Sequence, residues 1–153
     1  MEYNAQAYAE YLCRVFHDDA DFQNDIRQWA VEEVQHGAAL GAWAQRIDPS
    51  WNFAAAMKKF RNGYAPEHFL GESKNSVRGS RSGELVARCM VETGTSSYYS
   101  AIGDLTSEPV LKHICRRIAA DEFRHYKLFY DALNRSLAKD RLGRIGRLRV
   151  ALS

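Results

Sequence analysis

Prolines are scarce in this chain, three in 153 residues, and cysteines are equally few. With so few prolines, long stretches can run as uninterrupted helix, because an internal proline removes a backbone donor and clashes with the preceding turn. Cys13, Cys89 and Cys115 are isolated and odd in number, which excludes a disulfide scaffold. The absence of any CxxC pair excludes a rubredoxin-type iron centre and a zinc ribbon. Such thiols fit buried, reduced positions and a cytoplasmic location. No apolar run approaches the roughly 18 residues that a membrane span needs, so no transmembrane segment is expected. The start lacks the basic-then-apolar pattern of a signal peptide. No nucleic-acid partner is expected either.

What is present is apolar content, 46% of the chain, in helical patterns. At this length one domain with a sizeable core is expected. A first helix is expected from the start to about Phe16, with Tyr8, Tyr11, Leu12 and Val15 as its stripe. A second runs from about Asp21 to Arg46, with Pro49 following its end. The connection from 47 to 82 holds a short helix, Asn52 to Phe60, and a polar stretch, Gly71 to Ser82. A third helix starts near Ser82 and ends before Thr106, and a fourth spans about Glu108 to Leu137. The expected layout is a hairpin over 1–47, a crossover over 48–82, a second hairpin over 83–137 and a basic C-terminal helix over 138–153.

Two ExxH motifs stand in these helices, Glu33-Val34-Gln35-His36 and Glu122-Phe123-Arg124-His125. On a helix, residues at i and i+3 share a face, so each motif aims a carboxylate and an imidazole at one point. Each motif also has an upstream Glu: Glu2 lies 31 residues before Glu33, and Glu92 lies 30 before Glu122. The repeat extends further. Tyr8 and Tyr98 each follow the upstream Glu by six residues, and Arg27 and Arg116 each precede the motif Glu by six. Ala30 corresponds to Ala119, and Glu32 to Asp121. This reads as two copies of a helical hairpin. Two Glu plus two Glu-x-x-His on four inward-facing helices is the ligand set of di-iron carboxylate bundles. The fold expected is therefore all-α, a ferritin-like four-helix bundle with a long crossover.

Heights follow from the turns. Glu92 and Glu122 flank position 107 by 15 residues each, and Glu2 and Glu33 flank Asp18 by 16 and 15. In an antiparallel hairpin both pairs are level to within about one residue. Glu10 lies only 8 residues before Asp18, about 10 Å displaced along the axis, and is rejected as a ligand. Glu2 is the second residue, with no full turn before it, and the chain stops inside a basic segment. A trimmed piece of a longer protein is the expectation.

The chemistry suits these residue types. Two ferrous ions accept carboxylate oxygen and imidazole nitrogen. Four carboxylates, Glu2, Glu33, Glu92 and Glu122, neutralise their four charges where unpaired charge is costly. His36 and His125 each complete one ion. Their other ring nitrogens need acceptors, and Glu32 and Asp121 are placed to reach the His of the opposite hairpin. Manganese, or a mixed iron–manganese pair, would fit the same ligands.

The segment Ile114-Cys115-Arg116-Arg117-Ile118-Ala119-Ala120-Asp121-Glu122-Phe123-Arg124-His125 resembles the fourth-helix motif of the soluble acyl-carrier-protein desaturases. Trp29-Ala30-Val31-Glu32-Glu33-Val34-Gln35-His36-Gly37 resembles their second-helix motif, and Glu92-Thr93-Gly94-Thr95 their third-helix pattern. That resemblance implies a hydroxyl, Thr95, beside an oxygen site. It also implies a hydrogen-bonded electron path through Trp29, Asp121 and His36. The ligand plan is shared with rubrerythrins, whose Tyr six residues after the upstream Glu resembles Tyr8 and Tyr98. The resemblance thus implies a non-haem di-iron oxidoreductase that activates oxygen to desaturate or hydroxylate an organic substrate, such as an acyl chain. The alternative is a rubrerythrin-like protein that detoxifies peroxide or oxidises iron.

Partners follow in part from charge. Residues 135–153 carry six Lys or Arg and one Asp, net +5, which leaves −3 on residues 1–134 of the total +2. A basic amphipathic helix there fits an acidic carrier protein. A ferredoxin-like electron donor and a homodimer are the other expected partners.

Overall fold

The computed structural model describes residues 2–64, 66, 69, 71–140 and 143–151. Side-chain caps fix most helix starts. After a single 3-10 turn, Glu2–Asn4, comes α1, Ala5–Val15. Helix α2, Ala20–Ile47, begins where the Asp19 carboxylate accepts the Phe22 N–H at 3.0 Å. Asn52 caps α3, Phe53–Gly63, through the Ala55 N–H at 2.8 Å. Ser80 caps α4, Arg81–Leu105, through the Gly83 N–H at 2.9 Å. The Glu108 carboxylate takes the Val110 and Leu111 N–H groups at 3.1 and 2.6 Å and starts α5, Pro109–Lys139, with its proline in the first turn. Helix α6, Arg144–Ala151, follows.

Among the described residues there is no strand, and no helix is long and apolar enough to cross a membrane. Cys13, Cys89 and Cys115 are all free thiols. The long helices lie within a residue or two of their sequence-derived limits. The basic segment differs: among its described residues the preceding helix runs on to Lys139 and a separate helix covers Arg144–Ala151, and Leu142 and Leu152 of the expected stripe fall outside the described residues. The start differs too. A continuous first helix is replaced by the 3-10 turn, which lies hard against α2. A Cβ added at Gly37 would sit 2.7 Å from Tyr3 Cβ and from its backbone nitrogen. Only glycine permits that approach.

Helix α1 packs on α2, α4 on α5, and α2 on α5. The apolar interior has two parts. One holds Leu12, Ile26, Leu85 and Phe129, one residue from each of α1, α2, α4 and α5, all fully buried. The other, farther along, holds Tyr99, Cys115, Ile118 and Ala119. Along α5 the residues between these parts are Glu122 and His125. Along α4 it is Glu92, and along α2 Glu33 and His36. Three helices therefore carry these polar interior residues at one level, between two apolar plugs that exclude water.

Candidate metal centre

Glu33, Glu92, Glu122 and His125 each present a ligand atom such that all four lie within 4.8 Å of one another. They are 5%, 1%, 1% and 3% exposed, which places three carboxylates in a nearly dry interior. The i, i+3 spacing on α5 supplies Glu122 and His125 together. Glu33 comes from α2 and Glu92 from α4.

The two histidines are arranged alike. His125 turns Nδ1 inward, 3.0 Å from Glu33 Oε1 and 3.8 Å from an oxygen of both Glu92 and Glu122. Its outer Nε2 meets Glu32 Oε2 at 3.0 Å. His36 turns Nδ1 toward Glu122 Oε1 at 3.5 Å, and its outer Nε2 meets Asp121 Oδ2 at 3.1 Å. Each outer nitrogen thus rests on a carboxylate of the opposite hairpin. The exposed Arg124 ties these two carboxylates together, at 2.6 Å to Asp121 and 3.3 Å to Glu32. The two oxygens of Glu122 face different histidines, as a bridging carboxylate would.

Both inward Nδ1 atoms, Glu33 Oε1 and Glu122 Oε1 are buried without an aligned hydrogen bond. Native interiors rarely leave such atoms unsatisfied. Here Glu33, Glu122 and His125 belong to one tight group that a divalent cation would satisfy, and His36 Nδ1 faces that group through Glu122 Oε1. The residues present therefore fit a metal centre of the oxygen-and-imidazole type.

Electrostatics agree. Burial works against charge on His125, but the facing carboxylates of Glu122, Glu33 and Glu32 win and push it up to about 10. Burial also opposes charge on His36, and Glu122 and Asp121 raise it nonetheless. Burial raises Glu33, and it raises Glu92 further against the pull of Arg88. Burial would raise Glu122 too, but contacts with His125 and His36 hold it well below the usual carboxylate range. Without metal the cluster binds protons in place of a cation.

The remaining expected residues divide. Glu2 is half-buried in the terminal turn, and its Oε1 accepts from the Tyr99 hydroxyl at 2.9 Å. It lines the same cavity as Glu33, Glu92 and Glu122 but stands outside the tight four-residue group. The Thr95 hydroxyl lies 2.9 Å from Glu122 Oε2, and also within reach of the Val91 and Glu92 carbonyls at 3.0 and 3.1 Å. Glu10 is exposed on α1.

Two expectations need correction. Tyr98 is 61% exposed, and Tyr99 is the tyrosine turned to the cluster. The reason is helical phase: seven residues after Glu92 returns to the same face, six does not. Tyr8 is turned inward, but it donates to Glu84 rather than to a cluster carboxylate. The 3-10 turn alters the phase in the first copy, so the repeated spacing of six does not place equivalent residues. The hydrogen-bonded path from Trp29 is also not made. Its indole nitrogen is buried without a partner, and the ring packs edge-on to His125, with centroids 6.5 Å apart. Asp121 does hold His36, but Trp29 lies one turn before Glu33 on the inner face of α2, while Asp121 sits near the surface.

The sequence reading missed Glu84, Arg88 and Tyr99. Their signal was there, because 84, 88, 92, 95 and 99 form one face of α4. Glu84 is 1% exposed and takes the Tyr8, Tyr11 and Ser76 hydroxyls. Arg88 is ion-paired to Glu92 and stacks on Tyr8 and Trp29, 4.9 Å from each ring centroid.

A cavity of about 300 Å³ opens beside the carboxylates. Phe60, Phe69, Ala87 and Val91 give it apolar wall, and its polar end holds Glu33, Glu92, Glu122 and Thr95. It is at the small end of the usual range for ligand pockets.

Comparison with known proteins gave no match among curated proteins and none among solved structures. The family described as fatty acid desaturase matches residues 15–148, a span that includes Glu33, His36, Glu92, Glu122 and His125. With its buried Glu and His cluster inside that span, the chain belongs to the fatty acid desaturase family.

Proposed function

We propose that this protein is a non-haem di-iron oxidoreductase on a ferritin-like four-helix bundle, of the acyl-carrier-protein desaturase kind. On this reading it oxidises an organic substrate, an acyl chain in the first instance, by desaturation or hydroxylation. The carrying observation is the buried Glu33, Glu92, Glu122 and His125 cluster opening onto an apolar-walled cavity. A bound iron pair would supply oxygen activation, which no protein side chain provides. The chain's own residues do the rest. Glu122 bridges toward both histidines, and Glu33 and Glu92 flank it. Asp121 and Glu32 fix the ring orientations of His36 and His125, so that Nδ1 faces inward. Glu2, held by Tyr99 on the terminal turn, would add the fourth carboxylate. Thr95 offers a hydroxyl proton beside Glu122 at the cavity end. Apolar plugs above and below keep water out, which strengthens every electrostatic contact inside.

Iron is the metal proposed, with manganese or a mixed pair fitting the same donors. Reduction needs an external electron donor such as a ferredoxin-like protein. An acidic carrier would meet α6, where Arg147 and Arg149 stand with the exposed Ile145 and Leu148. A cytoplasmic homodimer completes the reading. The cavity favours substrate oxidation over the rubrerythrin-like alternative, which needs no pocket for an organic chain.

The test is reconstitution with ferrous iron, reduction by a ferredoxin system, and exposure to oxygen with acyl carrier thioesters. Mass spectrometry should find an oxygen-dependent product lacking two hydrogens or bearing one more oxygen. Rapid peroxide consumption with every acyl chain unchanged would favour the detoxifying reading instead.

A further inference from the structure

Arg88 is a charged member of the cluster that neither the ligand plan nor the internal repeat accounts for. It lies four residues before Glu92 on α4, and its guanidinium is ion-paired to Glu92 Oε1. The other oxygen, Oε2, faces His125 Nδ1 at 3.8 Å. The Arg88 side chain is 13% exposed and Glu92 1%. Tyr8, Trp29 and Phe129 surround the guanidinium, with ring centroids 4.9, 4.9 and 5.3 Å from its carbon. An aromatic cage stabilises a cation and leaves it few routes to solvent. Arg88 Nε has no hydrogen-bond partner, so the side chain is held by charge and stacking more than by a complete donor set.

A fixed positive charge beside a cation site has a direct consequence. Metal-free, three buried carboxylates repel one another, and Arg88 supplies the countercharge that Glu92 needs. A divalent ion held by Glu92 and His125 would have to share that carboxylate with the same charge. We propose that Arg88 is a resident counter-cation for the α4 carboxylate: it stabilises the metal-free cluster and lowers metal affinity at the His125 position. It is a positioning residue for Glu92 and touches no reacting atom. The assignment rests on the metal-centre reading above.

The experiment is anaerobic titration of wild type, Arg88→Met and Arg88→Lys with manganous and ferrous ion, alongside melting curves with and without metal. Removing one unit charge at this distance should tighten binding by about tenfold to a hundredfold in Arg88→Met. The metal-free variant should melt about 10 °C lower, because a buried carboxylate loses its partner. Added metal should therefore raise its melting point by more than it raises that of wild type. Arg88→Lys, which keeps the charge, should bind as wild type does.

Unchanged or weaker metal binding in Arg88→Met would overturn the proposal and leave Arg88 a structural partner of Glu92. Equal tightening in the Met and Lys variants would overturn it too, because shape rather than charge would be responsible. If Arg88→Met does not fold alone, refolding with manganous ion decides: recovery supports the countercharge role, and failure to recover overturns it. Wild type that takes up no metal would instead overturn the metal-centre reading itself.

Discussion

The two histidine sides of the cluster are built from the same repeat but are not equally held. On the His125 side, Glu33, Glu92 and Glu122 close to within 4.8 Å, carried by the long helices α2, α4 and α5. Outside that group, Glu2, which the repeat pairs with His36, rides on a terminal 3-10 turn and is tied down by Tyr99. Long helices packed on both sides of a ligand fix its position, whereas a ligand on a terminal turn depends on few contacts. Sequence symmetry in a repeat thus does not guarantee equal sites.

The sharpest way to break this comparison is to remove each histidine. His125→Ala should abolish binding of the first metal equivalent, a loss of about a hundredfold or more in affinity, beyond what outer groups contribute. His36→Ala should retain that first equivalent and lose the second. Metal analysis after gel filtration reads both, and equal losses would show the sides to be equivalent.

Next is the support of Glu2. Gly37→Ala places a methyl where Tyr3 already sits, 2.7 Å from its Cβ. The terminal turn must lift, and Glu2 moves with it. Loss of the second metal equivalent alone is expected, with the first unchanged within error. Retention of both would show that Glu2 is dispensable.

The outer carboxylates come third. Glu32→Gln and Asp121→Asn keep size but weaken a charge-assisted contact to His125 and His36 respectively. Each should cost about tenfold in metal affinity, at the low end for groups that orient a ligand. The first should act on the first equivalent and the second on the second, as separate titration phases would reveal.

How much of this was legible in the sequence depends on helical phase. The ExxH motifs, Glu32 and Asp121 were readable because all lie inside unbroken helices, where spacing translates directly into direction. Tyr98 was misplaced because it was matched by a count of six residues from Glu92, and on a continuous helix it is the seventh residue, Tyr99, that returns to that face. Trp29 was given a polar role that its buried, unpartnered nitrogen does not perform. Arg88 and Glu84 were passed over because charged residues in a helix are usually on its solvated face, although 84, 88 and 92 share the face of a buried ligand. The cavity was not legible at all, since Phe60 and Phe69, far from α4 in sequence, help to line it with Ala87 and Val91.

The smallest expected effect is the pH dependence of the metal-free protein. The folded-state pKa of His125 is raised to about 10 by its three carboxylate neighbours, whereas an unfolded histidine titrates near 6.5. A raised pKa means that the folded state holds the proton more tightly. Stability from this group is therefore fully present below about pH 6.5 and is lost as pH rises toward 10. His36, Glu33 and Glu92 are raised as well and act in the same direction. Glu122, Glu32 and Asp121 are lowered, and their contribution is already complete above the ordinary carboxylate range. The metal-free melting point should thus fall steadily from pH 6.5 to 10. Metal must displace these protons, so affinity should rise over the same window and the loaded protein should show a flatter profile. His125→Gln removes a strongly raised imidazole and should flatten the metal-free curve, while His36→Gln should flatten it less. Parallel curves for wild type and both variants would mean that the imidazoles are not the cluster's proton store, and the unequal holding of the two sides would lose its electrostatic basis.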